Sequence, residues 1–257
     1  MSSPLFLGVS LKAYFGQQDT LDWCRRVTEV VGAHPAVVSG AIECVVLPSH
    51  PFLPAVREIC DGLPIVVGAQ DVSAFTGGAY TGEVTASQLK EIGVDFVEIG
   101  HAERREHLRE DDSVIATKMR VALDAGLRPL LCVGEQAHRG ADFAAQTAIA
   151  QIEAACAHVS DQQELDNCVI AYEPVWAIGE AEAATSEHIV DTHRQMREYL
   201  DSDPRLSGMR IAYGGSAGPG LYSTISPDVR GLFLGRFAHN VESLRAIVDE
   251  VAHPSHV

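Results

Sequence analysis

Ala171-Tyr172-Glu173-Pro174-Val175-Trp176-Ala177-Ile178-Gly179 is the stretch on which the reading of this chain turns. The apolar run before it, Cys168–Tyr172, has no polar alternation, as in a strand buried on both faces of a parallel sheet. A single carboxylate, Glu173, closes that run. Pro174 stiffens the backbone directly behind it, and a small-residue loop leads through Thr185 to a segment of helical period, Ser186–Leu200. A base on a rigid strand end beside a closable loop is what proton abstraction from carbon requires. Taken alone, the same residues fit equally a buried structural Glu before an αβ turn.

Seven further apolar runs lie outward from this one: Leu5–Leu11, Ile42–Leu47, Pro64–Gly68, Asp95–Gly100, Pro129–Val133, Met209–Tyr213 and Gly231–Gly235. Between them come segments of helical period, including Thr20–Val31, Ser113–Ala125, Ala141–His158 and Val241–Val251. Eight strand–helix units in a chain of 257 residues predict a single (β/α)8 barrel, residues 1–257, with 253–257 a loose tail. An open doubly wound sheet is the alternative, but it does not need eight regular units. In a barrel the chemistry sits where strands meet the loops that follow them. Lys12, His101, Glu173, Ser216 and Gly235 each fall at or just after the C-terminal end of a run, so they are expected on one face.

The chain carries 19 Lys plus Arg against 35 Asp plus Glu, a net charge of -16 that argues against nucleic acid and anionic membranes as partners. An anionic substrate would need a locally positive site within that field. No apolar stretch approaches the roughly 20 residues of a membrane helix. The start, Met-Ser-Ser-Pro-Leu-Phe-Leu, lacks the basic region of a secretion signal. Six scattered cysteines, among them Cys44, Cys132 and Cys168, fit reduced buried thiols in a cytoplasmic protein better than disulfides or a metal site.

Tyr172 to Gly179 closely resembles the catalytic base and lid hinge of the triosephosphate isomerase family. Further likenesses follow in family order. They include Gly8 to Lys12, Gly68-Ala69-Gln70, Gly78 to Glu83, Gly100 to Arg105, Cys132 to Glu135, Tyr213 to Ser216 and Gly231 to Gly235. The resemblance spans about residues 5–250 and implies a sugar-phosphate isomerase working through an enediolate. No nucleotide-binding glycine motif or metal-ligand cluster is apparent in the sequence, so no cofactor is expected.

On that reading Glu173 is the base. His101 is the electrophile, and the helix start after it, Ala102-Glu103-Arg104-Arg105, disfavours an added positive charge on the ring. A neutral histidine in this setting is the family's known arrangement, carried over by resemblance. The other ten histidines lack that context and read as surface residues. Lys12 would draw in the anion and stabilise the enediolate. Glu103 would orient the cationic cluster, unless it forms a structural ion pair with Arg104 or Arg105. Backbone N–H groups at Gly179, Ser216 and Gly235 would grip the phosphate, with a helix start after strand eight completing the cradle. Gly77 to Glu83 resembles the loop by which family members insert into a second subunit, implying a homodimer.

The active-site departures concern the substrate. Where the family has Asn and Trp before its lysine, this chain has Ser10 and Leu11, which predicts an enlarged corner beside the reacting end. Ala102 replaces a serine, and the lid reads Gly179-Glu180-Ala181-Glu182-Ala183-Ala184, with acids in place of a lysine. Arg236 stands where the second phosphate-binding glycine is expected. It would bind a substrate hydroxyl, brace the phosphate, or turn outward to surface acids. Gly235-Arg236-Phe237-Ala238-His239-Asn240-Val241-Glu242 resembles a side branch of the family that isomerises four-carbon ketose phosphates. That branch implies L-erythrulose 1-phosphate converted to D-erythrulose 4-phosphate. Triose phosphates are the alternative substrates, and a non-catalytic barrel that binds a phosphorylated metabolite is a third reading.

Overall fold

The computed structural model describes residues 3–180 and 182–253, so Ala181 of the lid and 254–257 of the tail lie outside the described residues. Eight parallel strands close into a barrel in sequence order. They are β1 (Leu5–Ser10), β2 (Ile42–Leu47), β3 (Ile65–Ala69), β4 (Phe96–Ile99), β5 (Arg128–Val133), β6 (Val169–Tyr172), β7 (Arg210–Tyr213) and β8 (Gly231–Leu234). Each corresponds to one apolar run of the sequence, and β1 pairs with β8 to seal the cylinder. Helices such as Gln17–Val30, Asp112–Asp124, Ala141–Ala155, Ser186–Ser202 and Val241–Ala252 cover the outside. Among the described residues, no helix is long and apolar enough to cross a membrane.

Closure decides which alternate residues face inward. One core cluster, with Phe6, Val45, Leu47, Phe96, Leu130 and Phe233, fills the barrel. The larger cluster, with Leu7, Val9, Leu11, Trp23 and Ile99, lies between strands and helices. Leu11 therefore packs away from the substrate side at 1% exposure and does not loosen the corner as its sequence position suggests. Toward the N-terminal end, Glu43 pairs with Arg128 and Arg210, each at 2.6 Å. Burial raises the Glu43 pKa, but the two guanidiniums outweigh it and hold the carboxyl below its ordinary value. Arg128 also stacks over Phe96, 4.0 Å from the ring centroid.

Two histidines expected at the surface are buried, His188 at 6% and His193 at 2% exposure. Both lie on the inner face of Ser186–Ser202, where helical period brings them against β6 and β7. His188 Nε2 meets the Tyr172 hydroxyl at 2.9 Å, and His193 Nδ1 is bonded to the Ile189 carbonyl. The cysteines expected to be reduced are free and buried, all six of them.

Candidate active site

A cleft of about 640 Å³ opens at the C-terminal ends of the strands. All nine residues singled out in the sequence line it: Ser10, Lys12, His101, Glu103, Glu173, Gly179, Ser216, Gly235 and Arg236. Several strand ends supply them because each loop turns over the same mouth.

Glu173 is held from both sides. Its N–H donates to the Val133 carbonyl of β5 at 2.7 Å, and Gly214 N–H reaches back to the Tyr172 carbonyl at 2.7 Å. Glycine is required at 214, since a Cβ there would lie 2.6 Å from Glu173 Cγ. The carboxyl is 4% exposed, and its Oε2 is buried without a hydrogen-bond partner among the described residues. Burial raises its pKa, opposed by the charges of His101 and Lys12. A carboxylate made more basic in this way suits proton abstraction near neutral pH.

His101 faces it, with Nε2 3.6 Å from Glu173 Oε1. The positive φ of Gly100, 76°, turns the chain sharply off β4, and His101 caps the helix Ala102–His107. Its Nδ1 accepts the Glu103 N–H at 3.1 Å. That bond needs an unprotonated Nδ1, so the remaining ring proton sits on Nε2 and points into the cleft.

Lys12 occupies the left-handed region at φ 48°, a strained conformation for a side-chain-bearing residue at a site. Its ammonium pairs with Glu103 at 2.7 Å. Burial lowers the Lys12 pKa, but the bond to Glu103 and the nearby carboxylates outweigh it and raise it overall. Glu103 shows the converse, with burial raising its pKa and Lys12 drawing it down on balance. The rival pairing does not form: Arg104 bonds Asp71 and Glu110, and Arg105 bonds Asp112.

The lid approach is tied down at consecutive carbonyls. Arg236 donates to the Gly179 carbonyl, and Ser216 Oγ donates to the Glu180 carbonyl at 2.9 Å. Arg236 thus faces the lid and does not turn outward to a surface acid. Gly179 has φ 77°, and a Cβ there would stand 3.3 Å from the Arg236 guanidinium. Among the described residues, the amides of Gly179, Ser216 and Gly235 have no hydrogen-bond acceptor, which leaves three donors for an anion. The turn after β8 is a short 3-10 helix, Arg236–His239. At the hinge, Trp176 Nε1 donates to Glu135 at 2.6 Å, and Glu135 also accepts from Tyr172.

Sequence reasoning missed Glu98. It lies inward on β4, 3% exposed, and accepts the Ser10 hydroxyl at 3.2 Å. Burial pushes its pKa up to about 7, with His101 opposing and the Glu173 charge adding to the rise. A signal was present, because a charged residue inside a run buried on both faces has to be buried whichever way it points. The corner beside Ser10 is consequently polar and partly filled, where the sequence suggested only added room. Among the described residues, no three His, Cys, Asp or Glu side chains group as a metal site would.

The triosephosphate isomerase family model matches residues 5–251. A protein of Pectobacterium atrosepticum named L-erythrulose-1-phosphate isomerase is 44% identical, over 97% of this chain and 96% of its own length. A triosephosphate isomerase of Rhodopirellula baltica is 34% identical over 96% of this chain and 98% of its own. One from Thermus thermophilus is 37% identical over 80% and 84%. With the closed barrel and its cleft, these matches establish that the chain belongs to the triosephosphate isomerase family and is an isomerase.

Proposed function

We propose that the protein moves the carbonyl of L-erythrulose 1-phosphate by one carbon, giving D-erythrulose 4-phosphate through an enediolate. The observation that carries the chemistry is the approach of Glu173 Oε1 to His101 Nε2, 3.6 Å across the cleft mouth. The four-carbon substrate is supported by the likeness to the Pectobacterium protein along nearly the whole of both chains.

Glu173 takes the proton from the hydroxyl-bearing carbon beside the carbonyl. The electrons of that C–H bond form the C=C bond, and the carbonyl electrons move onto oxygen. Lys12 and the Nε2–H of His101 stabilise the negative charge as it develops. His101 gives its proton to that oxygen and recovers one from the neighbouring hydroxyl. Glu173 then returns its proton to the former carbonyl carbon, so no proton is gained or lost overall. The free amides of Gly179, Ser216 and Gly235, with Lys12, hold the phosphate and discourage its elimination. Glu103 steadies Lys12.

A triosephosphate isomerase is the second reading, supported by the R. baltica relative. Purified enzyme offered L-erythrulose 1-phosphate and dihydroxyacetone phosphate separately distinguishes the two. At least about a tenfold higher kcat/KM on the four-carbon substrate is expected, the low end of what one group in a fitted pocket supplies. A wide preference for dihydroxyacetone phosphate would overturn the assignment.

The working form is proposed to be a cytoplasmic homodimer. Phe75 and Tyr80, 43% and 45% exposed, stack at 3.7 Å in the loop between β3 and β4, an apolar tip suited to a second copy. Sedimentation at micromolar concentration tests it, and a monomeric mass would refute it. Free cysteines suit a reducing compartment.

A further inference from the structure

Glu98 is a buried carboxyl that no step above uses. It lies beneath the cleft, bonded through Oε2 to Ser10. Its other oxygen stands 4.0 Å from His101 Nε2, too far for a hydrogen bond. Ser10 closes β1, lines the cleft and is 2% exposed. A serine hydroxyl has one proton and two lone pairs. Above about pH 7, where Glu98 is ionised and can only accept, the serine proton is committed to it, so Ser10 offers the cleft only lone pairs and accepts a hydrogen bond from a ligand.

A three-carbon ketose phosphate ends at the carbon that loses its proton. A four-carbon one carries a hydroxymethyl group there, whose hydroxyl is a donor. We propose that Ser10, held by Glu98, is the acceptor for this terminal hydroxyl, and that Glu98 is a positioning residue that sets substrate selectivity through Ser10. The inference rests on the four-carbon reading above. The buried setting favours it, because burial and the Glu173 charge make Glu98 costly to ionise unless each nearby donor is well aimed. A substrate donor completing the chain hydroxyl–Ser10–Glu98 strengthens every link in it. A three-carbon substrate leaves the Ser10 lone pairs without a donor, which is how a polar subsite rejects a ligand lacking the matching group.

The test compares kcat/KM on the two substrates for the wild type, Ser10→Ala, Glu98→Gln and the double variant. Ser10→Ala removes one oxygen without touching Glu98, and Glu98→Gln keeps the shape while its amide no longer fixes the serine proton. Each single change is expected to lower the four-carbon to three-carbon ratio by about tenfold or more, the effect of one lost acceptor. The double variant should lose scarcely more than either single one, since both act through the same bond. Equal losses on both substrates, or a double loss equal to the product of the single ones, would overturn the role of the pair. If Glu98→Gln does not fold, an unchanged ratio in Ser10→Ala overturns it alone. A wild-type enzyme that prefers dihydroxyacetone phosphate would instead remove the four-carbon reading, so the two failures are read from different samples.

Discussion

Arg236 donates its guanidinium to the carbonyl of Gly179, joining the turn after β8 to the start of the lid. The two residues lie at the end of one strand and the hinge of another, so lid position and phosphate cradle are mechanically linked. Arg236 can therefore serve the anion by its charge while holding the loop whose Gly179 lines the same cleft. Arg236→Ala is expected to raise KM by roughly tenfold, the value of one charge-assisted hydrogen bond. It should also speed amide exchange across residues 178–185. Arg236→Lys separates the effects, restoring charge without the fork. Unchanged exchange in Arg236→Ala would show that the clasp does not order the lid.

Glu173→Gln should keep the fold and bind substrate while lowering kcat by about 10²–10⁴-fold, the usual weight of a general base. The Gly214 gap that fits the Glu173 stem fits a glutamine stem as well. A variant with more than about a tenth of the wild-type rate would remove Glu173 from that role.

Lys12→Met should raise KM and lower kcat together, because the ammonium meets both the bound anion and the charge that develops in the reaction. It leaves Glu103 facing the cleft unpaired, adding repulsion to the lost attraction. Wild-type capture should also weaken as salt rises, since a chain of net charge -16 gathers its anion through few local cations. A change in melting temperature with kinetics intact would mark Lys12 as structural.

Glu98 makes a pH prediction with a definite sign. Its folded pKa is pushed from 4.5 to about 7 by burial, with His101 and Lys12 opposing and Glu173 adding. Between those values the folded protein holds a proton that the unfolded chain has lost, so stability falls as pH rises through the window. The full effect is on the order of 3 kcal/mol above the upper value. Glu98→Gln abolishes this slope, so its melting temperature relative to wild type should climb from about pH 5 to about pH 8. A difference independent of pH would show that Glu98 does not titrate there.

The amino-acid sequence by itself determined the barrel, because continuous apolar runs spaced by helical segments have few other ways to bury both faces. Glu173 was legible because Pro174-Val175-Trp176 follows a strand end, and His101 because it precedes a helix start. Closure decided the rest. Glu43 and Glu98 are both acids buried within apolar strand runs, yet two arginines outweigh burial and keep one acidic, while burial, with the Glu173 charge adding, makes the other a weak acid. Leu11 and Ser10 are neighbours, but strand alternation sends one to the helix layer and the other to the substrate. Arg236 finds Gly179 across 57 residues of chain. Which face a strand residue takes, and which distant group waits there, depends on the register in which eight strands close, and no local pattern encodes that register.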